Sequence, residues 1–151
     1  VSQEPDQAAY ILGSHNNRSC WGDLEANPTK VKRFTEAKTF IQSVSARKSE
    51  FVLEYDWYPH SYGTVIHVGG SQSSIAYGSA QKHLNLEIIV QDRPEIIVLA
   101  TESLHGNVQF QAHGFFISQP VHGPEVYFFR WILYDWQQNI VSRYSKRSYQ
   151  F

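Results

Sequence analysis

The side chains that could hold a metal are His60, His67, His105, His113 and His122, which fall near the ends of apolar runs. Imidazoles placed so on a β-barrel are how some oxygenases and isomerases build a metal site. The spacing opposes it. No His-x-His pair and no His-x-Asp or His-x-Glu dyad puts two ligands on one strand face, and Glu87 or Glu102 could add a carboxylate only through tertiary approach. A His-metal β-barrel enzyme is therefore an alternative, and no metal ligand or cofactor is assigned.

Nucleophilic and acid/base chemistry has less support. Ser71 follows Gly69 and Gly70, but no glycine two positions later completes a strained nucleophile turn. The same glycines could face a phosphate, yet no Lys-Ser or Lys-Thr follows them. Cys20 lies beside Trp21 with His15 nearby, and closeness in sequence does not make a thiolate pair. Glu54 and Asp56 would share a face of one strand, where a solvated surface is their ordinary role. No catalytic residue is assigned, and the expectation is a non-enzymatic protein.

A shallow recognition site is better represented. Neutral sugars are bound by planar hydrogen-bonding groups beside an aromatic face, and two turn regions combine them. The first holds Asp56, Trp57, Tyr58, His60 and Tyr62; the second holds Asp135, Trp136, Gln138 and Asn139. These nine residues are the candidate ligand-binding set, with a neutral glycan as the ligand. The competing reading is a structural or protein-interaction β-domain of an oligomeric or virion-like assembly, because aromatics with few lysines also mark protein interfaces.

The elements that must position these turns follow from hydrophobic period. One helix is expected from Thr29 to Ser45, with Phe34, Ala37, Ile41 and Val44 on its apolar face. From Glu50 the period becomes two, giving a strand through Phe51, Leu53, Tyr55 and Trp57 that Pro59 ends. Further strands are expected at Thr64 to Val68, Leu84 to Gln91, Ile96 to Ala100 and Asn107 to Ile117, the last bent at Gly114. A Ser/Gln loop fills the stretch after Gly70 to Ala80. Tyr127 to Tyr134, apolar or aromatic except at Arg130, reads as the central strand, and Asn139 to Tyr144 as the last. No helical pattern separates these strands, so short antiparallel links are expected. The fold class is mainly β: an antiparallel β-sandwich or partly open barrel of about seven strands, with one helix on an antiparallel sheet, α+β, as the alternative.

Composition bounds the rest. The chain has 151 residues, the size of one ordinary domain, read as an N-terminal arm at 1–28 packed on a single β-rich domain at 29–151. Charged residues are 18% and the net charge is −1, which offers no basic face for nucleic acid. Cys20 is the single cysteine, so neither an intrachain disulfide nor a cysteine-based zinc site can form. No apolar stretch approaches the ~20 residues that span a bilayer, and no signal-peptide pattern is seen, so a soluble product is expected. Asn17, Arg18 and Ser19 form a glycosylation acceptor that matters only outside the cell. Secretion is the favoured location, a glycan or protein the expected partner, and a homo-oligomer a possible state.

Overall fold

The computed structural model describes residues 18–44, 54–60, 62–100 and 106–136, together with positions 13, 52 and 142. Among the described residues, two helices with stated bounds precede the sheet. The first, α1 (Cys20–Glu25), begins where Ser19 Oγ accepts the Gly22 N–H at 3.0 Å. The second, α2 (Pro28–Val44), begins with a proline at the position that needs no N–H donor, and Asn27 Oδ1 accepts the Lys30 N–H at 3.2 Å. This helix matches the expected one, but its inward face is different: Val31 and Thr35 are buried, whereas Ala37, Phe40 and Ile41 are exposed.

Among the described residues four strands follow: β1 (Thr64–Val68), β2 (Glu87–Asp92), β3 (Val108–Ala112) and β4 (Val126–Phe129). They form one sheet in the order β3-β2-β1-β4, and every pairing is parallel. Val65 stands opposite Ile88 on one side and Val126 on the other, and Ile88 opposite Val108. The helix α3 (Ser74–Lys82) carries the chain from β1 to β2, and the short α4 (Pro94–Ile97) follows β2.

An all-parallel sheet overturns the expected antiparallel sandwich or barrel, and equally the single helix on an antiparallel sheet. The physical reason lies in α3, where a Ser/Gln loop was expected. Its exposed positions are polar and Gly78 weakens it as a helix, but Ile75, Ala76, Ser79 and Ala80 make a buried stripe at helical spacing. The small residues bring α3 close to the sheet, and that crossover is what parallel neighbours require. The burial of Val65, Ile66, His67 and Val68 on both faces is the pattern of a covered parallel strand.

Other strands fall for local reasons. Over the described part of Glu50 to Tyr58 there are bends at Glu54 and Tyr55, then a 3-10 turn at Tyr58–His60. Ile96 to Ala100 begins in α4, which Pro94 starts as a helical first turn. After Gly114 the chain turns, with the Ile117 N–H on the Gly114 carbonyl at 3.1 Å. The run Tyr127 to Tyr134 is split: β4 ends at Phe129, Trp131 takes a positive φ of 57°, and Leu133–Asp135 forms a 3-10 turn. Among the described residues β4 pairs with β1 alone, so it is not the central strand expected. The strand expected at Asn139 to Tyr144 lies outside the described residues.

The main core joins Val65, Ile88, Val90 and Val108 of the strands to Ile75, Ala76 and Ala80 of α3. A second cluster, Leu24, Val31 and Ile96 with Trp21 and Phe34 against it, seats α1 and α2 over α4. The path of the chain from β1 out to β3 and back to β4 makes the carboxyl ends of β1 and its neighbours a switch point, where open α/β sheets leave a crevice.

Candidate functional site

The crevice begins at the turn after β1. Gly69 has φ +66°, and a Cβ there would lie 2.3 Å from Ile132 Cδ1; one on Gly70 would lie 2.6 Å from Val90 Cγ1. Glycine is needed at both, once for conformation and contact and once for contact alone. The turn spends its donors on the sheet: the Gly69 and Gly70 N–H groups reach the Gln91 carbonyl at 2.7 and 3.3 Å, and the Ser73 N–H reaches the Gly70 carbonyl at 3.0 Å. The Ser71 N–H donates to Asp92 Oδ2 at 2.8 Å. Ser71 and Ser73 hold positive φ of 53° and 39°, a strain that these bonds offset.

Beneath the turn, His67 is 5% exposed and its Nδ1 lies 2.8 Å from Ser73 Oγ, the oxygen that also accepts the Ala76 N–H at the start of α3. Burial, with the Arg130 charge adding to it, lowers His67 to about 3, so the ring is neutral at physiological pH. His67 is a structural post joining β1 to α3.

At the end of β2, Asp92 accepts the Arg93 N–H on Oδ1 at 2.8 Å and the Ser71 N–H on Oδ2. Burial raises its pKa, while those two N–H groups and the Lys38 and Arg93 charges oppose the rise. Each oxygen keeps a lone pair for a ligand. Arg93 ties the roof down: Nη1 donates to the Trp21 carbonyl at 3.1 Å, Nη2 meets Glu25 Oε2 at 3.1 Å, and Nε lies 2.6 Å from Glu95 Oε1. At the end of β3, the His113 N–H donates to the Asp92 carbonyl at 2.8 Å. The His113 ring is 7% exposed, its pKa is lowered by burial, and its Nε2 has no hydrogen-bond partner.

These groups border a cavity of about 350 Å³ between the strand ends and α1 and α2, within the range of small-molecule sites. Its aromatic wall is Trp21, Phe34, Phe115, Phe116 and Trp136. Trp21 stacks on Trp136 with centroids 6.4 Å apart, and Phe116 meets Trp136 edge-on at 4.4 Å. The ionisable lining is acidic on balance: Glu25, Asp92, Glu95 and Asp135 against Lys38 and Arg93, with His113 neutral. A cation is therefore favoured over an anion.

The expected ligand-binding residues separate. Asp135 and Trp136 line this cavity. Tyr58, His60 and Tyr62 border a different, open groove with Lys82, His83 and Glu125, which lies before the amino end of β1. Asp56 is exposed and accepts the Tyr58 N–H at 3.1 Å. Trp57 is 4% exposed and belongs to the core, its Nε1 donating to the Val52 carbonyl at 2.9 Å. Gln138 and Asn139 lie outside the described residues, as do His105 and Glu102. Among the described residues no three His, Cys, Asp or Glu side chains gather to hold a metal. No described helix is long and apolar enough to cross a membrane.

The residues missed by the sequence reading are Asp92, Arg93 and the aromatic wall apart from Trp136, while His113 was singled out only as a metal candidate. A signal for them exists: an apolar strand closed by Gly69 and Gly70, and about 20 residues on an acid ending the next strand, the arrangement by which α/β sheets hold a ribose. Asp92 read instead as a turn residue before Pro94, because α3 between the two strands went unseen.

Residues 7–150 match the O-methyltransferase domain family. O-methyltransferase gsfB of Penicillium aethiopicum is 35% identical over 145 residues, 95% of this chain and 34% of that protein. The chain spans about a third of the length of the curated relatives it matches. The O-methyltransferase NcsB1 of neocarzinostatin biosynthesis, solved with S-adenosyl-L-homocysteine and 1,4-dihydroxy-2-naphthoic acid, superposes with a TM-score of 0.77 at 23% identity. That match covers 95% of this chain and 44% of NcsB1. The same enzyme, solved with S-adenosylmethionine and a hydroxynaphthoic acid, gives 0.75 at 23% identity over 93% of this chain and 44% of NcsB1.

Proposed function

The chain belongs to the O-methyltransferase domain family, and on that premise we propose that it forms the part of an O-methyltransferase that binds S-adenosylmethionine and offers its methyl group to a small-molecule hydroxyl. Membership of an enzyme family replaces the expected non-enzymatic glycan module, the structural or protein-interaction β-domain and the His-metal barrel. The lectin-like β-sandwich goes with them.

One observation carries the cofactor reading: four N–H groups of the turn at the head of the cavity are already engaged. The N–H groups of Gly69, Gly70, Ser71 and Ser73 are all satisfied inside the protein. A dinucleotide needs such donors free for its pyrophosphate. A sulfonium nucleoside does not, and its positive charge suits the acidic lining. Asp92 is placed to accept from ribose hydroxyls, and the aromatic wall offers flat apolar surface to rings. The residues present therefore fit the group.

When bound, S-adenosylmethionine supplies a methyl group activated on a cationic sulfur. The chain's own residues bind and orient. Asp92 fixes the ribose, Arg93 keeps α1 closed over the cavity, and Trp21, Phe115, Phe116 and Trp136 displace water from the space where an acceptor ring would approach. NcsB1 holds a hydroxylated naphthoic acid, which supports flat hydroxylated aromatics as the first acceptors to try. The test is incubation with methyl-tritiated S-adenosylmethionine and a panel of phenols and naphthols. Label appearing in the acceptor as a methyl ether is expected. Cofactor bound without label in any acceptor would overturn the transfer reading.

A further inference from the structure

Resting on the methyl-transfer reading, we propose that Lys38 selects the acceptor: its ammonium receives the carboxylate of a hydroxylated aromatic acid. The inward stripe of α2 runs Val31, Phe34, Thr35 and Lys38, the spacing of one helical face. Val31 and Thr35 are buried, and Phe34 packs on the cluster beneath α1. The fourth place holds a lysine.

A lysine so placed ordinarily carries its charge out to water. This one is half-buried, lines the cavity, and holds Nζ 5.4 Å from the centre of the Phe34 ring. Phe34 in turn meets Trp21 edge-on at 5.7 Å, so the ammonium adjoins the aromatic wall. Its charge also reaches Asp92 and favours the ionised carboxylate there. Of the two cations in the lining, Arg93 is engaged by Glu25, Glu95 and the Trp21 carbonyl. Among the described residues Lys38 makes no hydrogen bond or ion pair.

The corner it occupies differs in charge from the rest of the cavity. Beside Gly69 and Ser71 lies a recess of about 10 Å³, the space of one small polar group, and Lys38 and Arg130 both border it. No carboxylate among the described residues does, and His67 beside it is neutral. The lining as a whole disfavours an anion, so an acid gains only where these cations stand.

Two carboxylates could come here. The cofactor's own belongs to a zwitterion, with an ammonium on the same carbon and a sulfonium further along, so two cations gain little from it. An aryl carboxylate has no such charge beside it. An acceptor ring lying on the aromatic wall brings an acid to Lys38, where a charge-assisted hydrogen bond forms. A simple phenol in the same place offers the ammonium nothing. The acceptors selected are therefore hydroxylated benzoic or naphthoic acids.

The experiment saturates the chain with S-adenosylhomocysteine, which has no methyl to give, and titrates it with matched probes. These are 1-hydroxy-2-, 3-hydroxy-2- and 6-hydroxy-2-naphthoate against 1- and 2-naphthol, in wild type, Lys38→Met and Lys38→Arg. Met keeps an unbranched stem without charge, Arg restores the charge, and amide NMR spectra report that each variant is folded. Wild type should hold at least one naphthoate about tenfold or more tighter than the naphthols. In Lys38→Met that ratio should fall roughly 10- to 50-fold, and in Lys38→Arg it should partly return.

Naphthols bound as tightly as every naphthoate, or a ratio unmoved in Lys38→Met, would overturn the assignment. So would a loss in Lys38→Met that falls on S-adenosylhomocysteine itself, which would give the ammonium to the cofactor's carboxylate. Wild type that does not bind S-adenosylhomocysteine would overturn the cofactor reading, and this assignment with it.

Discussion

Asp92 uses both carboxylate oxygens on backbone N–H groups while facing the cavity, so its removal has two separable effects. Asp92→Asn keeps the shape but leaves one of those N–H groups facing an amide that cannot accept, which costs roughly 1–2 kcal/mol of stability. Its effect on S-adenosylmethionine affinity is larger, at least about tenfold, because ribose acceptor and counter-charge go together. Calorimetric titration beside urea denaturation separates the two, and unchanged affinity would remove Asp92 from the site. His67 gives a pH prediction. Its folded pKa of about 3 lies below the ordinary histidine value, so the unfolded chain holds the extra proton. Its contribution to stability is full above about pH 6.5 and is lost as pH falls toward 3. Between pH 7 and pH 4 wild type should lose on the order of 3 kcal/mol more than His67→Gln. Equal losses in urea melts at the two pH values would contradict the neutral buried ring.

Among the elements, the turn after β1 is the most constrained. Gly70→Ala should cost roughly 1–3 kcal/mol, because Val90 and the His67 ring stand where the methyl would go. Gly69→Ala adds about 1–2 kcal/mol of left-handed backbone strain to its contact with Ile132. Thermal melts check both, and an unchanged midpoint for Gly69→Ala would show that the turn is not held as described. Helix α1 depends on Arg93, which reaches both Trp21 and Glu25. In Arg93→Ala, amide exchange over Cys20–Glu25 should rise at least about tenfold while β1 and β2 keep their protection. Unchanged exchange would mean that the apolar cluster alone seats α1. The same elements show what the sequence could tell. Thr64 to Val68 and the helix from Thr29 are legible, since the first is four β-branched residues and His67 closed by glycines and the second has a proline start. The α3 crossover is not, because its buried stripe is mostly Ala and Ser, which hydropathy hardly distinguishes from a loop. Missing that one helix turned a parallel sheet into an antiparallel expectation, and of the two expected turns only the one at Asp135 and Trp136 borders the cavity.

For the whole molecule, Asp135 and Trp136 were within reach of sequence reasoning because a Trp beside an acid in a turn is an unusual surface. Asp92 and His113 were not, since only the sheet order brings the ends of β2 and β3 into one crevice. The assembled cavity has a consequence that no single residue carries: a turn whose Gly69, Gly70, Ser71 and Ser73 N–H groups are engaged, four carboxylates against two cations, and an aromatic wall. On the proposed reading such a cavity should select a cationic nucleoside over one bearing phosphates. Equilibrium titration of the chain with S-adenosylmethionine and with NAD+, side by side, tests this most directly. The prediction is one molecule of S-adenosylmethionine bound per chain and at least about a hundredfold weaker NAD+. NAD+ bound as tightly as S-adenosylmethionine, or no S-adenosylmethionine bound at all, would contradict it.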